Sequence, residues 1–265
     1  MTYHGAESLP DFFVPIARIG WMGVDLFFVL SGYLIGSQLL RPYRLGQRPR
    51  LLSFYRNRAY RVLPAYLVVL GLYLYLPAWR EFPDLMPTWN FLTFTQNLFI
   101  DVNVAQSFSH VWSLCIEEHF YLLLPVTVLF MMCKPSLRKT TVLLIILVLA
   151  GMGLRAFFLI HELQPLARSG QSYGVPYMEH IYYPTYSHFD GLLAGVTLAL
   201  IKTFRPLWWS ALARRGHTLF SLGIALLAVA IWLCKDRFLS PFGVSACGIV
   251  LGFPVISLSL GFLVA

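Results

Sequence analysis

Residues 243–265 read GVSACGIVLGFPVISLSLGFLVA, an apolar run without one charged side chain. As a helix it is long enough to cross a hydrocarbon core about 30 Å thick. Upstream, residues 218–234, TLFSLGIALLAVAIWLC, fall just short of the usual ~20 residues of a span. Apolar stretches near 20–40, 62–79, 111–133, 141–160 and 188–201 continue the pattern, the last of them short. Composition agrees: of 265 residues, 58% are hydrophobic and only 12% charged. A soluble domain carries about 25% charged residues, because its surface needs polar cover. The sequence therefore predicts an all-α, polytopic transmembrane helix bundle, with residues 1–265 as a single domain.

Charge placement orients it. Residues 41–61, RPYRLGQRPRLLSFYRNRAYR, hold seven arginines and no acid, and the positive-inside rule puts such a segment in the cytoplasm. An outward span at 62–79 then places Glu81, Asp84 and Asp101 outside. The chain returns to Lys134, Arg138 and Lys139, goes out to His161, Glu162 and Glu179, and comes back to Lys202, Arg205, Arg214 and Arg215. Three basic segments share one side only if residues 89–100, WNFLTFTQNLFI, do not cross. The net charge of +8 is then an orientation signal. A nucleic-acid footprint fits poorly, since the charge lies between apolar spans. Cys115, Cys133, Cys234 and Cys247 lie in or beside apolar segments and read as small buried side chains, with no metal or disulfide spacing.

Ionisable groups at membrane depth are costly, which makes them the first functional candidates. Asp25, in GWMGVDLFFVLSGYLIG at 20–36, is either a helix-start cap or a functional carboxylate. In the same segment Gly32 and Gly36 form a small-xxx-small pair suited to close helix packing, beside Ser31. In SHVWSLCIEEHFYLLLP at 109–125, Ser113, Glu117 and Tyr121 share one helix face at i, i+4 spacing. A polar stripe of that kind facing the bundle interior can orient a base or anchor packing, with Trp112 beside it. Arg56, Arg58 and Arg61 exceed what orientation requires. Their guanidinium forks suit a phosphorylated ligand, and contact with anionic lipid is the competing account. Arg155 interrupts a span and either snorkels or pairs inside the bundle. His188 and Asp190 read equally as caps or cavity lining.

Three stretches carry a family resemblance: GVDLFFVLSGYLIG at 23–36, SFYRNRAYRVLPAY at 53–66 and VWSLCIEEHFYLLLP at 111–125. Together, in this order and spacing, they resemble the acyltransferase 3 family, and YYPTYSHFDGLLAG at 182–195 is similar to its later, weaker signature. The resemblance covers essentially the whole chain. It implies a bundle of about ten helices, of which a subset is present here, in the bacterial inner (cytoplasmic) membrane. The implied activity is transfer of an acyl group, most simply acetyl from acetyl-CoA, to a hydroxyl of an extracytoplasmic glycan or lipid-linked saccharide. Acyl-CoA is then a donor substrate, with no permanently bound cofactor, no metal and no nucleic-acid partner.

Residue by residue, His4 stands where the family places its catalytic histidine, and Glu117 matches the acid of WSLxxE. Arg58 and Arg61, with Arg56 as a neighbour, match the basic pattern, and Ser31 and Gly32 match the SG of the second helix. His119 takes a position that is often glutamine. The resemblance also implies an arginine about three turns before the histidine, which this sequence does not contain. The expectation is a fragment, a misplaced start or an inactive copy, with further helices beyond Ala265. On this reading His4 accepts the acceptor's proton, Glu117 orients the imidazole, and the arginines hold the donor's phosphates. A solute transporter or flippase and an inactive membrane scaffold are the alternatives.

Overall fold

In the computed structural model, residues 22–104, 107–133, 135–234 and 245–265 are described. Among them the regular structure is helical throughout. The long helices are α1 (Met22–Arg44), α2 (Leu51–Tyr75), α3 (Trp112–Cys133), α4 (Leu137–Phe158), α5 (Phe189–Phe204), α6 (Pro206–Arg214), α7 (Gly216–Leu233) and α8 (Gly252–Val264). Among the described residues, four stretches are long and apolar enough to cross a membrane: Met22–Arg44, Ser109–Cys133, Leu137–Arg168 and Gly216–Leu233. The third is long because α4 continues through a π-helical stretch, Leu159–Leu163, into Gln164–Arg168.

Three expectations change in detail. The basic segment is not a loop up to residue 61. Gly46 adopts a left-handed φ of 69° after α1, as a helix stop requires, but α2 already begins at Leu51. Nothing between Leu51 and Leu63 breaks a helix, and arginine is a good helix former, so the arginines ride on the first turns of α2. Its other end is closed by Arg80, whose Nε donates to the Tyr73 carbonyl (2.6 Å) and Nη2 to that of Leu74 (3.0 Å). Second, the 243–265 run is broken at Leu251 into Ala246–Val250 and α8. Pro254, in the first turn of α8, has no N–H for the Val250 carbonyl. The glycines flanking the break approach the end of α7, where a Cβ on Gly248 would meet the Leu233 carbonyl and one on Gly252 the Cys234 sulfur. Third, α5 has only 16 residues, the doubtful limits of the 188–201 span resolving into a short, largely buried helix.

Segment 89–100 contains no helix long enough to cross a membrane. It forms two short helices, Thr88–Leu92 and Gln96–Phe99, with Asn90, Gln96 and Asn97 buried. Asn97 Nδ2 donates to the Tyr183 carbonyl (3.1 Å) and to Thr185 Oγ1 (2.8 Å), and His119 Nδ1 lies 2.7 Å from the same hydroxyl. Tyr66 of α2 donates to the Phe91 carbonyl (2.8 Å). This plug fixes α2, α3 and the approach to α5.

The tightest seam joins α1 and α5. A Cβ on Gly32 would run into the Leu192 carbonyl, and one on Gly195 into the Val29 carbonyl and Tyr33 amide. Gly36 faces Ala199 and Gly191 faces Phe28. The small-xxx-small pair of α1 thus meets a second one, Gly191 and Gly195 of GLLAG. Each lets the opposite backbone into van der Waals contact, the source of helix affinity where water supplies none.

Candidate active site

Glu117 lies one turn into α3 and is 3% exposed. Tyr121, one turn further along the same face, donates to Glu117 Oε1 at 2.7 Å. Ser31 of α1 is a neighbour of both side chains. From α2, the Arg58 guanidinium lies over the Tyr121 ring, its Cζ 3.7 Å from the centroid. Arg58 and Arg61 both act electrostatically on Glu117, and Arg58 on Glu118 as well. Three helices therefore contribute to one buried polar centre. The close α1–α5 seam sets the position of Ser31, because the adjacent Gly32 lies directly against the Leu192 carbonyl.

The spacing explains which arginines take part. Arg58 and Arg61 are three residues apart, on one face of α2. Arg56 is two positions from Arg58, about 200° around the helix; Arg58 is the half-buried one of the three, and Arg56 and Arg61 are exposed. Arg58 Nε and Glu118 Oε1 are buried without hydrogen-bond partners, so the centre has capacity for a further polar group.

Other sequence candidates fall elsewhere. Trp112 turns its ring toward Tyr182 (centroids 4.8 Å), His188 (5.1 Å) and Phe28 (6.2 Å), closing an aromatic cluster near the N-terminal ends of α1 and α5. Ser113 is half-buried on the Glu117 face. Asp25 is buried on the first turn of α1, its carbonyl 3.3 Å from where a Gly191 Cβ would stand. Asp190 does not join Glu117. Its Oδ2 accepts from Arg155 Nη1 at 2.6 Å, and the same nitrogen donates to the Ser187 carbonyl at 2.6 Å. Arg155 is wholly buried, which decides for pairing inside the bundle rather than snorkelling. His4, the candidate base, and Lys134, part of the charge pattern, lie outside the described residues. Among the described residues, no three His, Cys, Asp or Glu side chains group closely enough to hold a metal.

A second polar cluster, not assembled by sequence reading, lies on the Glu81 side. Tyr73 donates to Glu81 Oε1 (2.6 Å), the Phe108 amide to Oε2 (3.5 Å), and His110 Nδ1 stands 3.6 Å from Oε1. Partial burial pushes the Glu81 carboxyl up, but these donors and His110 outweigh it and hold it below its ordinary value. The acidic character of 80–110 was visible; the return of Glu81 to Phe108 and His110 is a tertiary contact without a local signal.

Fold and site define a multi-pass helical membrane protein with an acidic centre buried among arginine, tyrosine and serine. The chain belongs to the acyltransferase 3 family, whose acyltransferase domain matches residues 1–264. Among curated proteins it is similar to O-acetyltransferase OatA of Staphylococcus aureus strain NCTC 8325, 31% identical over 195 residues, 69% of this chain and 30% of that protein. The peptidoglycan O-acetyltransferase OatA of Listeria monocytogenes is 29% identical over 208 residues, 72% of this chain and 31% of that protein. A putative O-acetyltransferase of Staphylococcus aureus strain COL is 39% identical over 119 residues, 40% of this chain and 20% of that protein. The chain spans about 30% of the length of the two OatA proteins. No solved structure matches it at a significant level.

Proposed function

We propose that the protein transfers an acyl group, in the simplest case acetyl from acetyl-CoA, to a hydroxyl of a glycan or lipid-linked saccharide outside the cytoplasmic membrane. The observation that carries this reading is the convergence of Glu117, Tyr121, Ser31 and Arg58 from three helices, with Arg61 one turn beyond Arg58, in a chain of the acyltransferase 3 family. Ionisable side chains are kept at membrane depth when they bind or react. The O-acetyltransferase names of the relatives support the class of reaction.

In this mechanism the acceptor hydroxyl gives its proton to His4, and its oxygen attacks the thioester carbonyl. The tetrahedral intermediate collapses, the C–S bond breaks and the thiol leaves protonated. Glu117 orients the imidazole or balances its positive charge, while Tyr121 and Ser31 hold the carboxylate in place. Arg58 and Arg61 supply positive charge to the donor. Arg58 lies on the third turn of α2, about 10 Å along the helix from Leu51, so it would meet the donor inside the bundle rather than in a surface loop. The same bundle delivers donor from the basic side and acceptor from the other.

The donor role is tested by steady-state kinetics of Arg58→Ala in membranes. The expected outcome is a rise in apparent KM for acetyl-CoA of about ten-fold or more, the size of one lost charge-assisted contact, with acceptor KM little changed. An unchanged donor KM removes Arg58 from donor binding.

A further inference from the structure

Apart from the polar centre, the bundle carries an open groove on its basic side. Its cavity volume is about 140 Å³, and it is lined by Leu40 of α1, Leu124 and Val128 of α3, Leu144 of α4, and Leu193 and Val196 of α5. Two hydroxyls reach its wall, and neither has a free proton to donate to an occupant. Thr127 donates to the Leu123 carbonyl (3.0 Å) and Thr140 to that of Ser136 (3.1 Å). A site whose hydroxyl donors are already engaged within their own helices, and whose other walls are apolar, suits hydrocarbon.

The mouth is different. Arg44 follows Leu40 by four residues on α1, and Lys139 precedes the lining residue Leu143 by four on α4. Each cation therefore shares a helix face with a groove residue. Both are exposed, and neither takes part in an ion pair or hydrogen bond through its side chain among the described residues. Arg41 and Arg138 stand next to them. No acid accompanies this charge along the segments that carry it: the sequence has none between Asp25 and Glu81, between Glu118 and Glu162, or between Asp190 and Asp236.

We propose that the groove is a binding site for an anionic phospholipid, one acyl chain lying along the leucine-lined wall and the phosphate held by Arg44 and Lys139. An apolar slot with an uncompensated cationic rim matches an amphiphile of that charge. A zwitterionic lipid would satisfy the slot and leave the rim unmatched. The site is separate from the Glu117 centre and does not depend on the acyltransferase reading.

The test is the lipid retained by the full chain after purification from nanodiscs of equal phosphatidylglycerol and phosphatidylcholine, quantified by mass spectrometry. Phosphatidylglycerol should be enriched about ten-fold over phosphatidylcholine, the order expected for two basic side chains at a membrane surface. The surface variant Arg44→Gln/Lys139→Gln should return the ratio to that supplied. Leu144→Trp, which fills the slot, should lower retention of both lipids. The proposal is overturned by equal retention of the two lipids in the parent protein, by enrichment that survives the rim variant, or by enrichment unaffected by Leu144→Trp, which would mark surface attraction alone. It is also overturned if palmitoyl-CoA displaces the bound lipid equally well from the parent and rim-variant proteins.

Discussion

The α1–α5 seam makes one substitution take opposite signs at different sites. In Gly32→Ala the new methyl would overlap the Leu192 carbonyl oxygen, and in Gly195→Ala the Val29 carbonyl and Tyr33 amide. These are backbone atoms, so neither helix can relieve the overlap by changing a rotamer. One helix must move, at the usual overpacking cost of about 1–3 kcal/mol, less whatever alanine gains as a helix former. Gly71, inside α2, has nothing within 4 Å of its would-be Cβ. There Gly71→Ala should gain up to about 1 kcal/mol from helix propensity. Gly36→Ala, whose methyl would lie 3.0 Å from that of Ala199, should fall between. The assay is reversible denaturation of the purified protein in mixed micelles, read by tryptophan fluorescence. The expected order of stability is Gly71→Ala, parent, Gly36→Ala, then Gly32→Ala and Gly195→Ala. Gly32→Ala and Gly195→Ala as stable as Gly71→Ala would refute the close-packed seam.

Two further perturbations probe other parts of the bundle. Asp190→Ala leaves the wholly buried Arg155 without its counter-ion, a loss of about 3–5 kcal/mol, whereas Arg155→Met/Asp190→Leu should recover most of it in the same assay; equal losses in single and double variants would discredit the pair. Because the folded protein holds the Glu81 carboxyl below its ordinary value, its stabilising contribution is full above the unfolded value and disappears as pH falls through the folded one. The melting temperatures of the parent and Glu81→Gln should therefore differ at neutral pH and converge in acid, and a pH-independent difference would show that charge is not involved.

The sequence and the structure agree where information is local. Apolar length and charge placement locate the helices, and the non-crossing of 89–100 follows from the basic segments having to share a side. The i, i+4 stripe of Ser113, Glu117 and Tyr121 marks the face carrying the buried centre, since helical spacing alone determines it. What escaped needs a partner from elsewhere in the chain. Nothing local shows that Arg58 lies over Tyr121, or that Asp190 is bound to Arg155 instead of joining Glu117. The GLLAG glycines gain their meaning only from Gly32 and Gly36 standing opposite them. Asn90, Gln96 and Asn97 do leave a trace, three carboxamides in an otherwise apolar segment, but only the contact with Tyr183 and Thr185 explains the burial of Asn97. The break at Leu251 was signalled by Pro254 and masked by the hydropathy of the run around it.

The central claim is acyl transfer dependent on the buried Glu117 centre. The most direct measurement is transfer of labelled acetyl from acetyl-CoA to surface glycan in membranes carrying the protein, beside Glu117→Gln and His4→Ala at equal expression. The account predicts transfer by the parent and a loss of about a hundred-fold or more in each variant, the size of a general base or its partner, with the folded fraction unchanged. Transfer at parental rates by Glu117→Gln would contradict it.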